Sequence, residues 1–188
     1  MRHGAGWIGR PTSQRRIQSP EWVEIAGDQG LITLFPLGLP LHERVGVRML
    51  DTPLVVAGGR SGRFQFAISL DAAYPTATAL WLATCGKGAA TKSLNLPGAA
   101  EGWLLHVGAK NILVTHVDPL ADAREGVRVR LLETEGRSAS ATLAAYRPFR
   151  SARHTDLRGE PISQLAVVDG EVRFHSGAYQ WLQIEAEW

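Results

Sequence analysis

The segment AVVDGEVRF, residues 166–174, places an Asp-Gly pair between two alternating apolar runs. A two-residue type I′ turn needs a positive φ at both central positions, and Asp-Gly is a favoured pair there. The segment therefore predicts a β-hairpin in which Val167 lies opposite Val172, and Leu165 lies opposite Phe174. These four apolar side chains then share one face, because side chains alternate along a strand. We expect that face to lie over a hydrophobic core.

Four other segments alternate apolar and polar residues in the same way, which is typical of half-buried antiparallel strands. They are residues 43–50, 62–70, 125–146 and 179–188. Segment 125–146 contains two such runs and predicts a second hairpin. In segment 179–188, Gln183 and Glu185 are predicted to face solvent, and a change of phase at Trp181 predicts a bulge or a change of partner strand. Its buried residues are predicted to be Leu182, Ile184, Ala186 and Trp188.

One segment, PTATALWLATCGKG, is predicted to form a helix. Pro75 suits the first helical position, and Gly86 or Gly88 would end the helix. The residues at helical spacing are Ala77, Leu80, Trp81 and Thr84. The continuously apolar segment 111–117 predicts a central strand. Many short strands and a single helix together predict an all-β fold, namely an antiparallel β-sandwich with one short helix.

The charge distribution divides the 188-residue chain into a tail and a body. Residues 1–20 contain four of the 20 basic residues and no acidic residue, which leaves 16 basic against 18 acidic residues from Glu21 onward. We interpret residues 1–20 as a basic flexible tail and residues 21–188 as the β-sandwich, with a candidate internal boundary near 90–100. Nucleic-acid binding is not expected, because it needs basic residues clustered on a folded face.

The cellular location is inferred from what the sequence lacks. It has neither a secretory signal nor a stretch of about 20 apolar residues, so no membrane partner is expected. Cys85 is the single cysteine, which excludes an internal disulfide and fits a reducing compartment. We expect a soluble, cytoplasmic protein.

No pattern of titratable or nucleophilic residues predicts a catalytic, cofactor-binding or metal-binding site. His116 and Asp118 share one side of a predicted strand, and His154 and Asp156 form a similar pair, but a zinc site needs three or four ligands. Cys85 lies at the predicted helix end on an apolar face, which is typical of a packed thiol rather than a nucleophile. We therefore expect no cofactor.

Two kinds of carbohydrate-related function stay open. The paired carboxylates of a glycosidase can come from distant parts of a chain, so residue spacing does not exclude a small independent glycosidase. Six tryptophans could instead give a free-standing carbohydrate-binding module its sugar-stacking platform, although large aromatic residues more often fill cores. They are Trp7, Trp22, Trp81, Trp103, Trp181 and Trp188.

The order of several segments resembles the C-terminal β-sandwich region of glycoside hydrolase family 38, the α-mannosidases. One strand and the glycine turn after it resemble a strand and turn of that family, and they contain Val127, Val129, Arg130, Glu133 and Gly136. A small-residue strand and then the Asp156-Leu157 pair follow it, as in the family. The further segments that are similar to the family's, in the same order, are 21–45, 61–75, 92–98 and 172–186. The residues that depart from the family's pattern are Phe35, residues 49–52 and Arg63.

The resemblance implies a part of an enzyme rather than a whole one. The family's zinc ligands and catalytic aspartates belong to an N-terminal domain and a helical bundle that have no counterpart in this sequence, so none carries over. The resemblance implies a non-catalytic β-sandwich with a structural or accessory role in α-mannoside metabolism. Its partner would be a separate glycosidase catalytic chain or a second copy of the chain, and a carbohydrate is a candidate ligand.

Residues 31–41, LITLFPLGLPL, contain no charged residue. An uncharged strand at the edge of a sheet tends to pair with another chain. Two-fold closure is the commonest way to cover such an edge. We therefore expect a homodimer that buries this segment.

Overall fold

The computed structural model describes residues 1–47, 49–55, 62–84, 103–120 and 125–188. Within these ranges the chain forms sixteen β-strands and one α-helix. The all-β antiparallel fold with one short helix is therefore confirmed. The chain divides into two compact units, Met1–Cys85 and Gly86–Trp188. The candidate boundary near 90–100 falls outside the described residues, as does Cys85.

The first unit combines two small sheets and the helix. Its elements are β1 (Arg2–Ala5), β2 (Ile8–Pro11), β3 (Arg16–Gln18), β4 (Trp22–Ala26), β5 (Leu31–Phe35), β6 (Leu41–Arg44), β7 (Leu50–Asp51), β8 (Ala67–Leu70) and α1 (Pro75–Thr84). Five strands form a sheet in the order β2-β1-β4-β5-β8, and three form a sheet in the order β3-β6-β7. Trp22, Phe35 and Ala79 form a buried core that joins α1 to the larger sheet.

The interpretation of residues 1–20 as a flexible tail is wrong, because they supply three strands of this unit. β1 pairs with β2 and with β4, and β3 pairs with β6. Gly4 and Gly9 lie opposite each other, and the buried indole of Trp22 lies across both, where an added Cβ would overlap it. The basic residues of this segment have partners later in the chain, since Arg2 lies 3.5 Å from a carboxylate oxygen of Glu24.

Two further predictions in this unit need correction. Segment 43–50 is not one strand, because β6 ends at Arg44 and β7 begins only at Leu50, and Val47 between them is 82% exposed. Segment 62–70 becomes a strand only at β8, and its buried face is the opposite of the predicted one. Ala67 packs against the core, whereas Ile68 and Leu70 are exposed. The alternation identified which residues share a face, but not which face is covered.

The helix and the uncharged segment 31–41 also differ in part from expectation. α1 begins at Pro75 as predicted, but it buries Thr76 and Ala79, and Trp81 is exposed.

β5 does not form a sheet edge, because it lies between β4 and β8 and pairs with both. The argument for dimerisation through an unpaired β5 edge is therefore wrong, although the apolar face of β5 stays partly uncovered.

The second unit is a two-layer sandwich. Its strands are β9 (Leu105–Val107), β10 (Ile112–Pro119), β11 (Gly126–Glu133), β12 (Ala139–Ala145), β13 (Ser151–Thr155), β14 (Pro161–Val168), β15 (Glu171–Ser176) and β16 (Trp181–Glu187). They are hydrogen-bonded in the order β10-β11-β16-β13-β14-β15-β12-β9. Residues 161–165 of β14 pair with β13, and residues 166–168 pair with β15, so β14 passes from one layer to the other. Both layers contribute to one core.

The hairpin predicted for 166–174 is confirmed. Asp169 and Gly170 have φ angles of 54° and 80°, and Val167 lies opposite Val172. Leu165 instead pairs with Ala152 on β13, because β14 changes layers there. The four apolar residues of the hairpin still lie in or against the core.

The hairpin predicted for 125–146 is wrong. β11 pairs with β10 and β16, whereas β12 pairs with β15 and β9, so the two runs belong to opposite layers. Their apolar faces nevertheless meet in one core, for example at Leu131 and Leu143. Segment 111–117 was predicted to be central, but β10 ends the order of the described strands.

None of the described residues forms a helix long and apolar enough to span a bilayer.

Candidate functional site

The outer face of β10, β11, β16 and β13 carries an ordered array of polar side chains. Strand register places Asp118, Arg128, Glu185 and Arg153 in one row across the four strands. The next row consists of His116, Arg130, Gln183 and Thr155. Cross-strand neighbours on one face lie about 5 Å apart, close enough for direct side-chain contact. We call these eight residues, together with Trp181, the polar face.

Glu185 is the centre of the first row. Its side chain was predicted to face solvent, but the residue is only 2% exposed. Oε1 accepts hydrogen bonds from Nε and Nη2 of Arg128 at 3.0 and 2.7 Å, and Oε2 accepts from Nε and Nη2 of Arg153 at 3.0 and 2.6 Å. Burial acts to raise the pKa of Glu185, but the two guanidinium groups outweigh it and lower the pKa below its ordinary value. This ionised carboxylate joins β11, β16 and β13.

Gln183 is the centre of the second row and was also wrongly predicted to be solvent-exposed, since it is 1% exposed. Its Nε2 donates to Oγ1 of Thr155 at 3.0 Å and to the carbonyl oxygen of Asp156 at 2.8 Å. Its Oε1 accepts from Nε of Arg130 at 2.8 Å. The amide is therefore fixed, and it fixes the guanidinium in turn.

Of the two predicted histidine–aspartate pairs, the structure shows only His116 and Asp118 in contact. His116 and Asp118 do share one side of β10, and His116 Nε2 lies 2.8 Å from Oδ2 of Asp118. His154 lies opposite Ile184 on the other side of the sheet from the polar face, and Asp156 instead accepts from the backbone N–H of Arg158 at 2.8 Å. Throughout the part of the chain that the structure describes, no three potential metal ligands converge.

Trp181 lies at one end of the polar face. It is 48% exposed and keeps a regular register opposite Leu132, so the bulge predicted there is absent from this strand pair. The change of phase arises instead from the preceding turn, where Tyr179 has a φ of 56°. Of the other tryptophans, Trp22 is fully buried and Trp188 stacks on Phe149 at 4.7 Å between ring centroids. No pair of described tryptophans forms a coplanar exposed platform.

Glu133, at the end of β11, has a structural role that its sequence position did not reveal. The residue is fully buried, and its carboxylate accepts five hydrogen bonds. Oε1 accepts from Nδ2 of Asn111 and from the backbone N–H of Glu135, both at 2.9 Å. Oε2 accepts from the backbone N–H groups of Gly136, Arg137 and Tyr179. One carboxylate thus joins three loops of the second unit.

The first unit contains an apolar cavity of about 490 Å³. No titratable side chain is among its described lining residues, which are Ile25, Ala26, Gly27, Ile32, Leu34, Pro36, Leu39, Leu50, Thr52, Leu54, Phe66 and Ile68. A second, more polar cavity adjoins His3, His42 and Glu43. Burial lowers the pKa of His42, whose two ring nitrogens lie 2.9 Å from Oγ1 of Thr52 and 3.0 Å from the carbonyl oxygen of Ser19. Because both ring nitrogens have partners within the unit, His42 has a structural role.

Comparison with solved structures identifies the architecture. The crystal structure of an alpha-mannosidase from Enterococcus faecalis V583 matches 100% of this chain with a TM-score of 0.63 and 14% sequence identity. The two chains share a fold. This chain spans 24% of that alpha-mannosidase, which is about a quarter of its length. No protein-family model and no curated protein matches the sequence.

The polar face allows a direct test of what its central carboxylate contributes. We expect Glu185→Gln to lower the free energy of unfolding by about 2–3 kcal/mol, less than for a fully buried ion pair because both arginines are partly exposed. Glu125→Gln is the matched control, since Glu125 pairs with Arg147 at 3.4 Å on the surface, where such pairs contribute less than about 1 kcal/mol. Urea unfolding of both variants measures the difference. Equal losses would show that Glu185 is no more important than a surface carboxylate.

Proposed function

We propose that this chain is a non-catalytic β-sandwich part of an α-mannosidase-type glycoside hydrolase, related to the C-terminal region of family 38, with an accessory role in carbohydrate metabolism. The observation that carries the proposal is the match of the whole chain, both units included, to about a quarter of an alpha-mannosidase. Catalytic residues would be supplied by the remaining part of the enzyme, on another polypeptide or in another segment.

The residues that carry the resemblance to family 38 support this role. Glu133 and Gly136, two residues of one motif, are joined by a 2.8 Å hydrogen bond from the Gly136 N–H to the Glu133 carboxylate. Arg130 of the same motif is fixed by Gln183. These contacts stabilise strands and loops, which supports a structural role for the motif.

The uncovered apolar face of the first unit supports a partner. Ile32, Phe66 and Ile68 line the apolar cavity and are all exposed. Exposed contiguous apolar surface usually marks a protein contact. We assign this face to the catalytic part of the enzyme, because the similar alpha-mannosidase has about three quarters of its length beyond the segment matched here.

Two measurements on the native protein test the proposal. The isolated chain should not hydrolyse aryl α-mannosides, with or without added zinc, whereas activity that purifies with it and survives a zinc chelator would overturn the proposal. Purification from the native source should give a complex, or a longer polypeptide, that carries an α-mannosidase-type catalytic domain identified by its sequence.

A charge placed on the apolar face should separate the two candidate partners. We expect Ile68→Lys to weaken the association with the catalytic part at least about tenfold, or 1.4 kcal/mol. Ile162→Lys is the control, because Ile162 is similarly exposed but belongs to the second unit. If light scattering instead shows a dimer of the 20.4 kDa chain that Ile68→Lys dissociates, a second copy covers this face and the assignment to a catalytic partner is wrong.

A further inference from the structure

We propose that the polar face of the second unit binds an acidic saccharide, with the sugar ring against Trp181 and its carboxylate or phosphate group on Arg130. None of its residues belongs to the apolar face assigned to the catalytic part. Other anions could also pack against an aromatic ring, and only the choice of a saccharide among them rests on the proposed function. The binding chemistry follows from three properties of the face.

The first property is a fixed guanidinium with unused donors. Arg130 donates Nε to Gln183, and no described residue accepts from its two terminal nitrogens. Gln183 is itself held by Thr155 and Asp156, so the guanidinium is oriented before any ligand arrives. A planar guanidinium with free N–H groups matches the geometry of carboxylate and phosphate oxygens. Because its orientation is already fixed, less conformational entropy is lost on binding.

The second property is an exposed aromatic surface beside that guanidinium. Trp181 lies opposite Leu132, two residues along β11 from Arg130, so Trp181 and Arg130 are diagonal neighbours on the sheet. Such neighbours lie about 7–8 Å apart, within reach of aromatic and long side chains. A pyranose ring together with an exocyclic anionic group can bridge such a distance, and its C–H groups pack well on the electron-rich face of an indole.

The third property is the sign of the charge. Arg128, Arg130 and Arg153 bring three positive charges to the face, against the carboxylates of Glu185 and Asp118. Both oxygens of Glu185 are occupied by Arg128 and Arg153, so Arg130 is left without a carboxylate partner among the described residues. His116 lies opposite Arg130 and is oriented by Asp118. The excess positive charge at Arg130 favours an anionic ligand over a neutral one.

The experiment is a titration of the full chain by calorimetry and NMR with four probes, namely mannose 6-phosphate, glucuronate, inorganic phosphate and α-mannobiose. We expect both acidic sugars to bind at least about tenfold more tightly than α-mannobiose and than inorganic phosphate, a difference of 1.4 kcal/mol or more. Tighter binding of only one acidic sugar identifies whether the anionic group is a phosphate or a carboxylate. Equal binding of α-mannobiose, equal binding of inorganic phosphate, or no binding of either acidic sugar overturns the proposal.

Matched variants locate the site. Arg130→Lys keeps the charge but loses the planar fork, and Trp181→Ala removes the ring contact, so each should weaken acidic-sugar binding at least about tenfold. Arg173→Lys and Trp103→Ala change exposed residues outside the polar face and should leave binding unchanged. Circular dichroism confirms that the variants are folded. Equal effects of the two pairs would place the ligand elsewhere and overturn the assignment. The mannosidase assay is independent, so either proposal can fail while the other stands.

Discussion

Replacing Glu133 with glutamine is expected to lower the free energy of unfolding by about 3–5 kcal/mol, because buried N–H donors that lose their acceptor cost about 1–3 kcal/mol each. The Glu133 carboxylate accepts five hydrogen bonds, two at Oε1 and three at Oε2. A glutamine amide keeps one oxygen but turns its own N–H₂ group toward the remaining donors. The loops that meet at this carboxylate should then separate.

Thermal and urea unfolding measure this effect, with Glu171→Gln as the control. Glu171 lies exposed in the hairpin. Replacing it with glutamine makes the same chemical change without removing an acceptor from buried N–H donors, so the free energy of unfolding should change by no more than about 0.5 kcal/mol. A loss of 3 kcal/mol corresponds to roughly 10–20 °C in Tm for a unit of about 100 residues. Similar Tm values for the two variants would contradict the role assigned to Glu133.

The same substitution should change the pH dependence of stability. Burial acts to raise the pKa of Glu133, but hydrogen bonds from the N–H groups of Tyr179 and Glu135 and from Asn111 outweigh it and lower the pKa. A carboxyl group with a lowered pKa contributes its full stability above the ordinary value of about 4.3 and loses it as the pH falls through the folded-state pKa. The stability difference between wild type and Glu133→Gln should therefore be largest near neutral pH and shrink below about pH 4. A difference that stays constant into acid would show that Glu133 is not the titrating group.

Substituting alanine for Gly4 is expected to destabilise the first unit by about 2–3 kcal/mol, because overpacking of a close-packed site costs about this much. An added Cβ at Gly4 would overlap the indole of Trp22, which is fully buried across β1 and β2. Gly9→Ala should have a smaller effect, since the nearest indole atom would lie 2.9 Å from its Cβ. Tryptophan fluorescence during urea unfolding reports on Trp22 directly.

Gly62→Ala is the control for these glycine variants, because an added Cβ there meets no described atom within 4 Å. The order of destabilisation should be Gly4, then Gly9, then Gly62.

Removal of residues 1–20 should unfold the first unit entirely, since β1, β2 and β3 are lost together. If trimming at Arg10, Arg15 or Arg16 left the melting temperature unchanged, the segment would be a dispensable tail after all.

The parts of the fold that sequence patterns predicted are those whose information is local. The hairpin at 166–174 depends on two adjacent residues, Asp169 and Gly170, whose φ angles the turn itself requires. The start of α1 depends on Pro75 alone. Neither prediction needs knowledge of which distant segment lies alongside.

The parts that sequence patterns missed depend on distant partners. Gln183 and Glu185 alternate correctly with the core residues of β16, but they are buried because Arg128, Arg130 and Arg153 reach over them from other strands. Most buried charged groups need such paired, hydrogen-bonded partners. A pattern within β16 cannot reveal arginines that lie in β11 and β13, so the centre of the polar face was not predictable from its own segment.

The N-terminal segment also depends on distant partners. Its arginines and glycines have the composition of a solvated tail, but Arg2 and Arg15 meet Glu24 and Glu43, which come later in the chain. The glycines give room for Trp22 rather than flexibility. Composition alone cannot distinguish a glycine that is exposed from one that has a tryptophan lying across it.

The central position of β16 has a consequence for biosynthesis. β16 hydrogen-bonds to β11 on one side and to β13 on the other, yet it is translated after both. At about 5–20 residues per second, the ribosome needs roughly 2–9 s to make the 47 residues between β11 and β16. Until β16 is made, β11 and later also β13 present an unpaired strand edge, which is prone to pair with other nascent chains. The sheet that carries the polar face can therefore close only after residues 181–187 have been synthesised.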